Sequence, residues 1–216
     1  MTQDKKYRRP RDEDRWNDIE IAIRILGDCT PKDMRMDIDF SGFDLCGLNL
    51  SGMRLSGAEL YRADLTRVDL INTHLEQAVL TGADLTNAYL LNTNLTNAHL
   101  ANANLTNADL NRADLTGANL RGALLIGADL DDTNLTFTDL TSADLDNVEN
   151  LTQDQLDTSI YRENHPPNNL PEGFTISKNR AYEMARTENG RYRRRFVRNG
   201  VWFKQPPLNP LLTRSR

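Results

Sequence analysis

The sequence predicts an all-β solenoid, in which short extended segments wind repeatedly around an interior of leucine and alanine. Three observations predict it. After the opening Phe40, every fifth residue up to Leu145 is Leu, which gives 22 consecutive quintets. Two residues before each Leu, Ala fills thirteen of the eighteen positions from Ala58 to Ala143. The second residue after each Leu is mostly Gly or Asn, which adopt turn dihedrals readily.

A period of five excludes the regular elements. In a helix, a step of five residues rotates each Leu by about 140°, so no buried stripe forms. In a straight strand, alternate side chains face opposite ways, and five is odd, so Leu45 and Leu50 would point apart. The chain must therefore bend once per quintet, and repeated bends of one hand wind it into a solenoid.

The quintets, for example Ala83-Asp84-Leu85-Thr86-Asn87, resemble the A-(D/N)-L-x-x motif of the pentapeptide-repeat family. The resemblance covers about half of the chain. It implies a right-handed quadrilateral β-helix with four quintets per coil. The 22 quintets would then form about five and a half coils, roughly 26 Å long at the usual strand spacing.

The segments that flank the array predict a domain organisation of four parts. Residues 1–36 form an N-terminal arm and capping helix, because Asp12–Gly27 places Trp16, Ile19, Ile23 and Leu26 on one stripe. Residues 37–149 form the β-helix. An apolar helix before the array also occurs in some bacterial members of the family. We expect this helix to cover the open end of the first coil, whose inward positions hold large residues such as Phe43 and Leu48.

The C-terminal extension is predicted to be mixed. Residues 150–174 form a cap and linker: Thr152 and Gln155 have the spacing of a capping box, and prolines and a glycine between His165 and Gly173 indicate a linker. Residues 175–216 form a basic tail. It is predicted to contain a weak helix over Ala181–Arg186 and a hairpin over Tyr192–Lys204, with Asn199-Gly200 as the turn.

Charge is divided unevenly along the chain. The overall charge is −5, but residues 37–149 carry −12 and residues 178–216 carry +9. Two cysteines fit neither a disulfide framework nor a metal motif, and no segment has the apolar length of a membrane span. We therefore expect a cytoplasmic protein with no membrane insertion, cofactor or metal.

Residues that could support catalysis are sparse. The histidines His74, His99 and His165 fall on different sides of the predicted coil or outside it. No phosphate-binding loop, zinc-ligand pair or nucleophile elbow is present. Neighbouring carboxylates follow from the repeat itself and indicate nothing further. The sequence therefore predicts a protein that is not an enzyme.

Departures from the repeat are more informative, because the fold does not require them. The residues beside each Leu point outward and are usually Asp, Asn, Ser or Thr. Ile71 and Leu91 break this rule, lie 20 residues apart on one predicted face, and have Tyr89 beside them. Clustered exposed apolar residues are typical of a contact site, so Ile71, Tyr89 and Leu91 are the candidate partner-contact residues. Leu124 with Ile126 is a second departure; Val79 and Phe137 are isolated ones.

The tail provides a second set of candidates, namely Arg193, Arg194, Arg195, Arg198 and Trp202. Cations mixed with aromatic residues are typical of nucleic-acid binding. The alternatives are that the tail docks on the protein's own acidic coils, or that it is solvated.

Three functions follow as hypotheses. The first is a scaffold that binds an unidentified protein. The second is a DNA mimic that inhibits DNA gyrase, because some members of the family resemble duplex DNA in shape and charge. The third is nucleic-acid binding through the basic tail. The sequence leaves self-association open.

Overall fold

A computed structural model describes residues 39–162 and 164–176, together with the backbone of three strands at 181–186, 192–198 and 201–203. In the repeat region, each residue that precedes a Leu forms a parallel β-bridge with the residue 20 positions later. This series runs without a gap from Asp39↔Glu59 to Asp129↔Glu149. Four quintets therefore complete one coil, as the resemblance implied, and equivalent quintets of successive coils stack on one face.

Each quintet turns its corner in the same way. The residue three positions after a Leu donates its N–H to the carbonyl of that Leu, as Ala108 donates to Leu105 at 3.0 Å. Between them, the second residue after each Leu has a positive φ, 55° at Asn107 and 69° at Gly117. A positive φ at this position is the mark of a type II turn and favours Gly or Asn. At Gly117, a Cβ would lie 2.5 Å from the Asn97 side-chain oxygen, so the Asn97 side chain would have to move.

The interior is made of the two ordered positions. Every Leu at the five-residue spacing from Leu45 to Leu145 is at most 2% exposed, and every Ala at the second position is at most 1% exposed. Thr73, Thr93, Thr133 and Thr138 replace Ala and are also buried. Each of these hydroxyls donates to a leucine carbonyl 23 residues earlier, at 2.7–2.8 Å. The interior therefore accepts Thr without leaving a buried donor unpaired.

A short helix, α1 (Gln153–Thr158), closes the C-terminal end of the array. The predicted capping box is confirmed, since the side chains of Thr152 and Gln155 each bond to the backbone of the other residue. The Gln155 side-chain amide also donates to the carbonyls of Leu130 and Thr133, at 2.7 and 2.9 Å. Leu156 is buried at the end of the leucine core.

The segment predicted as a linker is part of an irregular last coil. Ile160 bridges Asp139, and Asn168 bridges Asp144, at offsets of 21 and 24 residues instead of 20. Pro167 is buried, and the Asn168 N–H donates to the Ala143 carbonyl at 2.7 Å. The linker prediction for His165–Gly173 is therefore wrong in this part. The inserted residues conceal the five-residue period in the sequence. The backbone of the preceding coil nevertheless pairs with this segment, at Asp139 and Asp144.

The tail continues this end as a sheet of four strands in the order β1 (Tyr161–Arg162), β2 (Ala181–Arg186), β3 (Tyr192–Arg198) and β4 (Val201–Phe203). Strands β1 and β2 pair in parallel, whereas β2 with β3 and β3 with β4 pair antiparallel. Arg198 pairs with Val201, in the register of the predicted hairpin. The helix predicted over Ala181–Arg186 is a strand, because pairing with β3 overrides the helix propensity of Ala, Glu, Met and Arg.

The predicted N-terminal arm and helix over residues 1–36 lie outside the described residues. At that end of the array, Leu48 and Met53 are buried as expected, but Phe43 is 54% exposed. Phe43 contacts Phe40 edge to face, with ring centroids 6.1 Å apart.

Candidate functional site

The coil has four faces. The Tyr89 face is the face whose buried leucines are Leu50, Leu70, Leu90, Leu110 and Leu130. The opposite side is the Leu140 face, which carries Leu60, Leu80, Leu100, Leu120 and Leu140. The backbone N–H and carbonyl groups on these faces bond between coils, as Leu70 N–H does to the Tyr89 carbonyl at 2.8 Å. A ligand of these faces would therefore be recognised by side chains.

Most outward polar residues have a structural role. At all fifteen quintets in which Asp or Asn precedes the Leu or the opening Phe40, its side-chain oxygen accepts a hydrogen bond from the backbone N–H two residues later. Where that later residue is Thr, its hydroxyl often donates to the same oxygen, as Thr106 does to Asn104 at 2.6 Å. These side chains cap the corner. The repeat therefore accounts for the abundance of Asp and Asn, and functional candidates are the positions where the cap is missing.

The three candidate contact residues are brought together on the Tyr89 face, and we name them the apolar patch. Tyr89 is 52% exposed, and Ile71 and Leu91 are half-buried. Ile71 and Leu91 stack in adjacent coils, because the Asn72 N–H donates to the Leu91 carbonyl at 3.0 Å. Tyr89 provides no cap oxygen, and Ile71 and Leu91 replace the usual hydroxyl residue. The fold therefore gives these side chains no role in the corner.

The same face becomes acidic towards the C-terminal end. We define the acidic cluster as the five carboxylates of Asp109, Asp129, Asp131, Asp132 and Glu149. Asp109, Asp129 and Glu149 continue the column of Tyr89 at successive coils, about 4.8 Å apart. Arg112 lies 3.8 Å from Asp132, and both side chains are largely exposed. The Tyr89 face thus joins an apolar half to an acidic half.

Other apolar departures are dispersed. Leu124 is 39% exposed beside Ile126 on a neighbouring face, and Val79 lies on the Leu140 face, which also carries Tyr61. Phe137 packs against Ile160, so the irregular last coil explains it. Tyr61, 41% exposed and covered by the Arg62 guanidinium 5.1 Å from its ring centroid, escaped the sequence prediction. An aromatic residue in place of Ser or Thr after Leu60 was the signal for it.

A polar cluster also escaped prediction. The Glu76 carboxylate accepts a short hydrogen bond from the Ser56 hydroxyl and a second one, of 2.7 Å, from the Asn94 side-chain amide. It also forms a hydrogen bond of 3.3 Å with His74 Nδ1. Burial raises the pKa of Glu76, but the hydrogen bonds from Ser56 and His74 outweigh it, so that the pKa is lowered. The glutamate lies between the hydroxyl and the imidazole, and His74 is therefore bonded to Glu76 and not to Ser56. A base for activating a serine would contact the hydroxyl instead.

The histidines are separate, as expected: His74 bridges Asn94 and His99 bridges Val79, on different faces. Within residues 39–176, as far as they are described, no group of three or more His, Cys, Asp or Glu could hold a metal ion. Nor does any helix of the described chain have the length and apolar character for crossing a membrane.

The candidate tail residues lie on two strands. Arg193, Arg194, Arg195 and Arg198 belong to β3, and Trp202 belongs to β4; only the backbone of these strands is described. β1 joins the tail to the Leu140 face, because Ile160 bridges Asp139 and the Leu140 N–H donates to the Ile160 carbonyl at 2.9 Å. The tail therefore starts on the side opposite the Tyr89 face.

The family model described as "Pentapeptide repeats" matches the chain in eight copies, over residues 36–72, 63–100, 78–117 and 113–149. These segments cover more than half of the 216 residues. No match is found among curated proteins.

Several solved structures are similar. HetL, a pentapeptide repeat protein involved in heterocyst differentiation regulation from the cyanobacterium Nostoc sp. strain PCC 7120, is 32% identical, with a TM-score of 0.30. The match covers 52% of this chain and 54% of HetL, so the chain spans about half of that protein's length. Rfr23 from the cyanobacterium Cyanothece 51142 is 35% identical over 56% of this chain and 66% of its own, with a TM-score of 0.27. QnrB1, a plasmid-mediated fluoroquinolone resistance protein, is 17% identical over 58% of this chain and 68% of its own, with a TM-score of 0.34.

Proposed function

The chain belongs to the pentapeptide-repeat family, whose fold is a right-handed β-helix, and we propose that it is a non-enzymatic scaffold that binds another protein through the apolar patch. One observation supports the proposal above the others. Ile71, Tyr89 and Leu91 form a cluster at outward positions, and none of their side chains supplies a hydrogen bond to a corner. Apolar side chains grouped on an otherwise polar surface are typical of protein contacts.

The architecture suits such a role. The leucine core and the bonds between coils hold the patch on regular backbone, so a partner finds it already ordered. Preorganisation reduces the entropy lost on binding. The backbone is occupied by the coils, so the partner must supply side chains that cover the ring of Tyr89 and the aliphatic groups of Ile71 and Leu91.

Affinity capture from lysate of the source cells tests this function. The double substitution Ile71→Lys with Leu91→Lys should abolish capture of the main partner. The thermal midpoint of the variant should stay nearly unchanged, because a half-buried lysine can keep its aliphatic stem packed and its ammonium group in water. The matched control is Leu124→Lys with Ile126→Lys on the neighbouring face. This control variant should capture the same partner as the wild type. A chain ending at residue 174 tests the tail separately. Capture of the same proteins by the patch variant would refute the proposal.

DNA mimicry directed at gyrase is the second candidate, and the net charge of −12 over residues 37–149 favours it. The outward columns argue against it. Among the described coils, Val79 and His99 interrupt one column, Leu124 another and Tyr89 a third, and Arg54 and His74 begin the fourth. A gyrase supercoiling assay with micromolar protein tests it, and an absence of inhibition would set it aside. Nucleic-acid binding through the tail would appear as capture that is lost after nuclease treatment.

A further inference from the structure

In the described part of the chain, the acidic cluster and the start of the basic tail lie on opposite sides of the coil. The acidic cluster lies on the Tyr89 face, and residues 178–216 carry a net charge of +9. The tail joins the coil on the Leu140 face, through Ile160 and β1. These two faces are opposite sides of the four-sided coil.

The direction of the sheet separates the patches further. Strand β2 lies beside β1, β3 beside β2, and β4 beside β3. Each strand adds about 4.8 Å, so the arginines of β3 are about 10 Å beyond β1 in the sheet. Docking of β3 on the side of its own coils, as one alternative from the sequence has it, would require this pairing to be broken.

We infer that the occupant of the Tyr89 face is a second copy of this chain, whose β3 segment lies along the acidic cluster and the apolar patch. This inference rests on the proposed function and names the partner of that same face. The segment Tyr192–Arg198 has the matching chemistry, with four arginines and two aromatic residues within seven positions. Its extended length of about 23 Å exceeds the roughly 14 Å from Tyr89 to Glu149, three coil spacings away.

The strength of the contact follows from its composition. An exposed ion pair contributes only about 0–1 kcal/mol and is screened by salt. The association therefore needs both the carboxylates and the apolar patch, is weak, and weakens further as salt rises. Because the face and the tail are different surfaces, the contact is head to tail, and each added copy presents a further free face.

Sedimentation velocity of the purified full-length protein tests the inference. Between about 5 and 200 µM at 20 mM salt, we expect the mean sedimentation coefficient to rise with concentration, and to return to the monomer value at 500 mM salt. A monomer at every concentration at low salt would overturn the inference.

Two charge variants locate the contact. The face variant is Asp131→Lys with Asp132→Lys, two exposed carboxylates that cap no corner. The tail variant is Arg193→Glu, Arg194→Glu and Arg195→Glu. Each variant alone should associate at least tenfold more weakly than the wild type. An equimolar mixture of the two should associate again, because each variant retains the surface that the other has lost.

The matched control for the face variant is Glu59→Lys with Asp146→Lys, which changes the net charge by the same amount as the face variant at exposed carboxylates of other faces. It should associate as the wild type does. Association that survives in either charge variant, or a mixture that stays monomeric, would overturn the inference. Because capture of a foreign protein by the apolar patch is measured separately, a failure here leaves the proposed function standing.

Discussion

At the scale of single residues, inward and outward positions in one quintet differ sharply. Leu105 is fully buried in the core, whereas Thr106 is half-buried and bonds to Asn104. The interior is narrow and offers a buried charge no counter-ion among the Leu, Ala and Thr side chains that line it. Tolerance to substitution should therefore change between adjacent residues.

We expect Leu105→Asp to destabilise the fold by more than about 4 kcal/mol, because it buries an unpaired carboxylate. Thr106→Ala removes one side-chain hydrogen bond at the surface and should cost less than about 1.5 kcal/mol. Thermal midpoints from circular dichroism compare the two. Similar midpoints would refute the inward assignment of the leucines.

A second residue-scale prediction concerns Glu76. Its pKa in the fold lies below the value of an exposed glutamate, so this carboxylate stabilises the protein above about pH 4.3, and the contribution is lost as pH falls through the folded pKa. Ser56→Ala removes a hydrogen bond to the charged form and should raise the pKa of Glu76. An NMR titration of the carboxyl carbon measures it. Ser51→Ala, at a hydroxyl that bonds to Asn49 instead, is the control; an equal pKa in the wild type and the Ser56 variant would contradict the assignment.

At the scale of elements, the coils with a strict five-residue period could be predicted from the sequence, whereas the last coil, in which the period is interrupted, could not. The coils up to Glu149 follow from the spacing of Leu, because each quintet repeats the same bend and the same burial. The last coil does not, since the offsets of 21 and 24 residues at Ile160 and Asn168 leave no period to read. The strand at Ala181–Arg186 depends on its pairing with β3, and the helix and strand propensities of its own residues give no information about that pairing.

The candidate site divides in the same way. Ile71, Tyr89 and Leu91 could be predicted, because each departs from the residue types that the corner requires. The polar cluster around Glu76 could not, because Ser56 and Asn94 reach it from the coils on either side. Ser, Glu and Asn are polar residue types at outward positions of a repeat that is polar there, so the sequence did not mark them as a cluster even with the 20-residue coil length.

The tail allows an element-scale prediction. If strand pairing holds β3, trypsin cleavage at Arg193–Arg198 in dilute protein should be equally slow in low and high salt, since backbone hydrogen bonds are insensitive to screening. Docking by charge on the coils would instead loosen as salt rises. Met184→Pro removes a backbone donor from the middle of β2 and should expose the sites at both salts. Protection that disappears in salt would restore the docking alternative.

At the scale of the whole molecule, the hydrogen bonds between coils all run from one coil to the next, from Asp39↔Glu59 to Asp129↔Glu149. This has a mechanical consequence. A force applied along the axis loads these layers in series, and the layer at an end can yield while the others remain intact. We expect the protein, held at positions 39 and 149 in an optical trap, to peel coil by coil. Each event should release 20 residues, roughly 65 Å of contour length, and the force trace should resemble a staircase; a single release of the entire length would show that the coils yield together.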